Sequence, residues 1–253
     1  MRTIQLDRVG STQDEIHQLA EAGEPDGTAV VAREQTAGRG RRGRHWESPV
    51  GGVWLSVLRR PTEAAPPLVM SLSVGLAVAH ALEAVGIQEV QVKWPNDLLV
   101  NDAKIGGILC EVRWHGDVPA WAAIGVGINV ENPAPSGVIG PATSVTEHTR
   151  ERIAPGDVAS SVIGAIRSVP LNLTTLDTPA VAELRRRDWL SGAILLEPVP
   201  GGVCTGIDRT GALVVRGPAG TVQQLRNGPV VVDTTIVRTA ARQKRLTSEP
   251  EPS

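Results

Sequence analysis

The chain has no phenylalanine and no tyrosine among its 253 residues. Any ring that stacks on a ligand must therefore belong to one of six tryptophans or five histidines. Lysine is almost missing as well. Lys93, Lys104 and Lys244 are the only three among 25 basic residues. Where charge alone is needed the chain uses arginine, so a lysine inside a motif marks a place that wants a compact ammonium. The two cysteines, Cys110 and Cys204, are far apart, and each lies in an apolar run. They read as buried reduced thiols, not as a disulfide or a metal site. No uninterrupted apolar run reaches the roughly 18–20 residues of a membrane span. The longest candidate, residues 66–85, is broken by Ser71, Ser73, Gly75, His80 and Glu83. The N-terminus lacks the apolar core of a signal peptide. A cytoplasmic protein without a membrane partner is expected. The net charge of −2 excludes a molecule-wide electrostatic surface for nucleic acid.

What is present suits a folded enzyme-sized chain. Hydrophobic residues make up 41%, enough for one catalytic domain and a small second one. Alternation predicts strands at 3–9, 28–33, 52–59, 90–93, 98–100, 104–114 and 120–130, the last two joined by a hairpin turn at 115–117. Helical spacing predicts helices at 12–22, 66–85, 155–169 and 179–190. Ser11 and Asp14 give the first of these a capping-box-like start. From residue 191 the pattern becomes five short strands separated by glycine-rich turns, which predicts a small β-barrel over 191–237. Residues 238–253 are polar and are expected to be a disordered tail. There is no internal repeat.

The stretch Gln35-Thr36-Ala37-Gly38-Arg39-Gly40-Arg41-Arg42-Gly43-Arg44 carries the most chemistry. Gly38, Gly40 and Gly43 satisfy the dinucleotide-binding spacing, but that reading needs a helix directly afterwards. Pro49 prevents one through residues 45–49. The loop still suits an anion. Glycines let backbone N–H groups approach a phosphate, and four arginines within six residues offer forked donors. Such a charge density favours a loop that is mobile when empty and ordered around an anionic ligand. Taken alone, the loop fits a solvated basic segment or an arginine-glycine RNA-binding segment equally well.

Two further segments break that tie: Lys93-Trp94-Pro95-Asn96-Asp97, and Lys104-Ile105-Gly106-Gly107-Ile108-Leu109-Cys110-Glu111. With the Gly/Arg loop, and in this order, they resemble the biotin–protein ligase family. Ser11-Thr12-Gln13 stands where the family has Ser-Thr-Asn. Gly125-Val126-Gly127-Ile128-Asn129 matches its Gly-x-Gly-x-Asn strand. The resemblance covers about residues 1–235. It implies an α+β fold, a mixed β-sheet flanked by helices related to class II aminoacyl-tRNA synthetases, as the catalytic domain over 1–190. It also implies ATP-dependent activation of biotin to biotinyl-AMP, and transfer to a lysine of a biotin carboxyl carrier protein.

Residue by residue, the resemblance implies that Ser11 and Thr12 bind the ureido ring and that Gln35 closes one side. Gln13 replaces an asparagine. Gly38, Arg39, Gly40 and Arg41 would wrap the biotin tail and the phosphate. Lys104 would meet the activated carboxyl, and Gly107 would allow close approach. Lys93 and Asn96 would lie near the phosphates, with Asp97 beside Mg²⁺ or the adenylate. Asn129 resembles an adenylate-site residue. Trp46 serves equally as a ligand-stacking ring or as core, and Gly127 as ligand floor or as packing relief. Arg41, Lys93, Lys104 and Asp97 are the expected catalytic set. The family includes monomers and homodimers. Because the motifs begin almost at Met1, no DNA-binding domain and no repressor function are expected. Two other readings remain: a lipoate–protein ligase on the related fold, and RNA binding through the loop.

Overall fold

A computed structural model describes residues 1–61, 66–133 and 140–233. Seven strands form the main sheet: β1 (Thr3–Val9), β2 (Ala29–Gln35), β3 (Val53–Arg59), β4 (Gln91–Lys93), β5 (Asp97–Val100), β6 (Ala103–His115) and β7 (Val118–Ile128). Their order is β1-β2-β3-β7-β6-β5-β4. Only β1 and β2 run parallel; every other pair is antiparallel. This is the mixed sheet expected from the sequence.

The two faces of the sheet differ because side chains alternate along each strand. One face carries Val53, Leu55, Val57, Val92, Ile108, Ile124, Val126 and Ile128 into the main core. It is covered by α2 (Pro67–Ala84) and α3 (Pro155–Ser168). The other face carries α1 (Thr12–Glu21), which packs Ile16 and Ala20 on Val30, Leu58, Trp121 and Ala123. Beyond the N-terminal end of α1 this second face is polar and glycine-rich, and that is where the site lies.

By length and composition α2 passes as a membrane span, which the sequence reading had excluded by counting interruptions. Its apolarity has a local explanation: eleven of its 18 residues are buried between the sheet and neighbouring helices. Fully buried helices are hydrophobic all round. The last helix, α4 (Thr178–Arg187), is three residues shorter than expected at its end; Asp177 caps its start by accepting from Ala180 N at 2.8 Å. The capping box expected for α1 is also corrected. Ser11 accepts from Gln13 N, whereas the Asp14 carboxylate turns away to an arginine.

The C-terminal module does not close into the expected barrel. It forms a three-stranded sheet of β9 (Val203–Ile207), β10 (Leu213–Arg216) and β11 (Val222–Leu225), and a two-stranded pair of β8 (Leu195–Glu197) and β12 (Val231–Val232). The strands are too short to pair all round, and each end strand falls to a turn within two to five residues. The module is also no independent unit of packing. Leu195, Cys204, Ile207, Leu213 and Val215 belong to the same core as α2 and the main sheet. The expected tail at 238–253 lies outside the described residues.

Candidate active site

The register of the sheet builds the floor. Asp97 pairs with Gly107, Gly107 with Gly127, and Gly127 with Trp54, a row across four strands on one face. Two positions along β7, Gly125 pairs with Leu109 and Ser56. Glycine at 107, 125 and 127 removes the side chains that would otherwise fill this face. A Cβ on Gly127 would lie 2.7 Å from Trp46 Nε1, and one on Gly107 would lie 3.3 Å from the same ring. Trp46 therefore lies flat across these two strands. Its N–H is buried, with no hydrogen-bond partner among the described residues.

The Lys104 ammonium stands over that ring. Its Nζ is 4.8 Å from the Trp46 ring centre and 2.6 Å from Asp97 Oδ1. Both side chains of this ion pair are only about one-quarter exposed, at 24% and 26%. At such depth the pair is tied by more than a surface contact, and removing one partner strands the other.

The Gly/Arg loop folds over the same region with a defined shape. Gln35 bridges to Ser48 and Arg39 to His45, and residues Arg41–Gly43 make a single 3-10 turn. Arg42 adopts φ 61, the left-handed region. Gly38 cannot be replaced without displacement, because a Cβ there would be 2.5 Å from Trp46 O; Gly40 has room, with 3.6 Å to Arg44 O. The four arginines are not equivalent. Arg39 makes two 2.7 Å bonds to the Asp14 carboxylate. Arg41 is half-buried and reaches Asn96 Oδ1 at 3.5 Å, whereas Arg42 and Arg44 are exposed. Burial, followed by repulsion from Arg42, pulls the Arg41 guanidinium below its ordinary value. An anion would relieve both effects. That distribution does not suit a freely solvated arginine-glycine segment.

The start of α1 supplies a polar corner. The Thr12 backbone N–H and hydroxyl both donate to Gln35 Oε1, at 2.8 and 3.0 Å, and Thr12 Oγ1 is 2.8 Å from Ser56 Oγ. Gln35 Nε2 donates to Ser48 Oγ at 2.8 Å, and Ser48 in turn donates to Trp46 O. Ser11 and Gln13 are buried beside this chain.

Of the residues read from sequence, the structure thus gathers Ser11, Thr12, Gln13, Gln35, Gly38, Arg41, Trp46, Asn96, Asp97, Lys104, Gly107 and Gly127 around one face. Arg39 is spent on Asp14. Lys93 leans on Trp189, with Nζ 4.6 Å from its ring centre, and burial lowers its ammonium pKa. Asn129 is not presented to the site. It is 1% exposed, donates to Thr143 O at 3.1 Å and accepts from Asn132 Nδ2 at 3.1 Å, so it holds the following loop. Sequence reasoning gave no role in the site to Ser48, Ser56, Trp189 or Glu111, and gave Asp14 only a helix cap. For Glu111 the signal was available, because it lies four residues along β6 from Gly107 and hence on the same face. Both cysteines are free, and burial pushes each thiol to about 12, so neither is a nucleophile.

Residues 6–129 match the Biotin/lipoate A/B protein ligase family. The biotin–[acetyl-CoA-carboxylase] ligase of Paracoccus denitrificans is 34% identical over 231 residues, 85% of this chain and 94% of that protein. The chain belongs to the biotin protein ligase family. A solved biotin protein ligase from Aquifex aeolicus, in complex with biotin and ATP, superposes with a TM-score of 0.77 at 27% identity, covering 92% of this chain and 98% of that one. The bifunctional ligase/repressor of Bacillus subtilis is 42% identical over 157 residues, 59% of this chain but only 48% of that protein. The chain thus spans about half the length of that relative. The family match over residues 6–129 spans the loop, Lys93 and Lys104, and the glycine floor together.

One expectation needs separate treatment. Among the described residues no group of three or more His, Cys, Asp or Glu side chains could hold a metal ion. Asp97, the one expected Mg²⁺ ligand, already pairs with Lys104. A protein-held Mg²⁺ does not fit these residues, and a magnesium ion would come with the phosphates of the nucleotide.

Proposed function

We propose that this chain is an ATP-dependent biotin–protein ligase. It joins the carboxylate of biotin to the α-phosphate of ATP, releasing pyrophosphate, and then passes the acyl group to a lysine of a biotin carboxyl carrier domain. The observation that carries the reading is the Lys104–Asp97 pair at 2.6 Å beside the Trp46 ring, on a floor stripped of side chains, with the half-buried Arg41 alongside. Two anions must meet for the first step. A compact ammonium and a fork of N–H donors neutralise them and stabilise the charge that accumulates as the bond to phosphorus forms. The reaction needs no protein nucleophile, in keeping with the inert thiols. The product is a mixed anhydride, which must be kept from water until an amine attacks its acyl carbon and AMP leaves. The loop over the site supports that role. Its ordering around a ligand and the cytoplasmic location belong to this proposal.

The purified protein with ATP and Mg²⁺ should release pyrophosphate on addition of biotin and not of lipoate. It should label an isolated biotin carboxyl carrier domain at one lysine. Release with lipoate and not with biotin would turn the assignment to the lipoate ligases. Release with neither, together with salt-dependent RNA binding, would replace it with the nucleic-acid reading.

A further inference from the structure

The cations of the site differ in what they have already bonded. Lys104 is paired with Asp97, Arg39 with Asp14, and Arg41 reaches Asn96. Lys93 is spent on nothing of the kind. Among the described residues its Nζ makes no hydrogen bond and no ion pair, and its contact is the Trp189 ring, 4.6 Å from Nζ to the ring centre. A ring face attracts a cation through its quadrupole. It offers no lone pair in the manner of a carboxylate, so the three ammonium hydrogens are left for another partner.

The sheet fixes where that ammonium stands. Lys93 pairs with Asp97, so it extends the row Asp97, Gly107, Gly127 and Trp54 to the edge strand β4. Directly opposed residues point to the same face. From β4 to β3, the strand of Ser56 and the polar corner, is four steps across the sheet. At about 4.8 Å a step, Lys93 is rooted roughly 19 Å from that corner. An acid seated at the corner meets Lys104, on β6, first. A phosphate chain attached beyond it reaches on toward β4.

Trp189 is itself held at both ends. Its backbone N–H donates to Val92 O at 3.1 Å, next to Lys93, and Val92 bridges to Asp188 as a parallel partner. Its Nε1 donates to Asp102 Oδ1 at 2.9 Å. Asn101 and Asp102 are both left-handed, with φ 50 and 65. They make the turn between β5, which begins with Asp97, and β6, which carries Lys104. One indole thus carries one lysine of the site and braces the hairpin of the other.

We propose that Trp189 is a positioning residue for the activation step, holding the Lys93 ammonium, with its hydrogens unspent, toward the phosphate chain of ATP. The proposal rests on the ligase reading. It adds that the segment leading from α4 into the C-terminal module, and not the catalytic sheet alone, sets the grip on the nucleotide.

The test is biotin-dependent pyrophosphate exchange by the full chain, with KM taken separately for ATP and for biotin. Trp189→Met fills much of the space and removes the ring. Its KM for ATP should rise about threefold to tenfold, with the KM for biotin within twofold of wild type. Trp189→Phe restores a ring face and should recover most of the loss. In a Lys93→Met background, replacing Trp189 should add nothing to the KM for ATP, because the cation it holds is gone. A wild-type protein without biotin-dependent exchange overturns the ligase reading and this assignment with it. Wild-type exchange with an unchanged KM for ATP in Trp189→Met overturns the assignment alone. So does a loss shared equally by ATP and biotin, one that persists in the Lys93→Met background, or one that Trp189→Phe does not relieve, since each marks a structural role. If Trp189→Met fails to fold by its thermal melt, the wild-type protein carries the test. With isotope-labelled lysine its three lysines give three ε-methylene signals, and the one lost in Lys93→Arg is that of Lys93. The ring should shift this signal upfield, and ATP with Mg²⁺ should move it. An unshifted signal, or one indifferent to ATP, overturns the assignment.

Discussion

Lys104 is placed by three things at once: the pairing of β6 with β5, the Asp97 carboxylate at 2.6 Å, and the Trp46 ring 4.8 Å away. Each restricts where the ammonium can go, so the side chain meets its substrate with little freedom left to lose. Lys104→Ala should therefore lower biotin-dependent pyrophosphate exchange by about two to three orders of magnitude, measured below the variant's melting point, which falls because Asp97 is left without its partner. Lys104→Arg should not restore it, because the larger planar guanidinium spreads its charge and does not place a compact ammonium at the same point. Exchange within a few-fold of wild type in either variant would remove Lys104 from the chemistry. At this scale the sequence was informative where a residue type is scarce. With only three lysines in the chain, two of them inside motifs stood out. It was silent where a common residue is recruited by packing. Asp14 looks like an ordinary first-turn acid and becomes the partner of Arg39. Asn129 matched a motif and is held by its own loop.

The helices are closed by residues they do not contain. α1 and α2 have no basic residue in their last turns. Arg60, just past the end of β3, donates to Ala20 O and Glu24 O at the exit of α1. Arg59 does the same for α3, donating to Ile166 O and Val169 O while its Nε holds Asp26 at 3.2 Å. Arg59 is 5% exposed, so its loss would take the side-chain donor from Val169 O and leave Ile166 O with only the Val169 N–H at 3.3 Å. Arg59→Met should cost about 2–3 kcal/mol, lowering the melting point by roughly 5–10 °C for a chain of this size. Urea denaturation gives the direct measure, and a loss below about 0.5 kcal/mol would mean that other donors or water replace the guanidinium. Strand and helix existence was legible, because periodicity is local. These caps were not, because they join residues from 36 to 110 positions apart, as Arg60 and Glu24 or Arg59 and Val169 are. The barrel was misread for a related reason. Short alternating runs announce strands, but closure depends on which edges meet, and here β9–β11 and β8–β12 remain separate sheets.

At the scale of the whole molecule, one buried arginine ties α4 to α2 and to the edge of the main sheet. Arg187, at the end of α4, donates to both oxygens of Glu83 on α2, to Glu183 on its own helix and to Val90 O beside β4. Two residues on, Trp189 carries the chain past Lys93 and donates to Asp102. The module then packs back on α2 through Gly211, whose carbonyl accepts from Trp94 Nε1 at 2.9 Å. The pieces share one core, so unfolding should be a single transition. Its pH dependence follows from the same arginine. The Arg187 guanidinium holds the Glu83 carboxyl below its ordinary value, against the opposing effect of burial. A depressed acid stabilises the fold above the unfolded value, about 4.3 for glutamate, and that stability disappears as pH falls through the folded value. The melting temperature should be nearly flat from pH 7 to about 5 and fall steeply below 4. Arg187→Met should be less stable than wild type at pH 7, with the gap narrowing as Glu83 protonates in both proteins. Calorimetry from pH 7 to 3 checks both statements. Two resolved transitions would show that the module folds apart from the sheet. A gap that stays constant with pH would show that Arg187 acts by packing and not through its charge on Glu83.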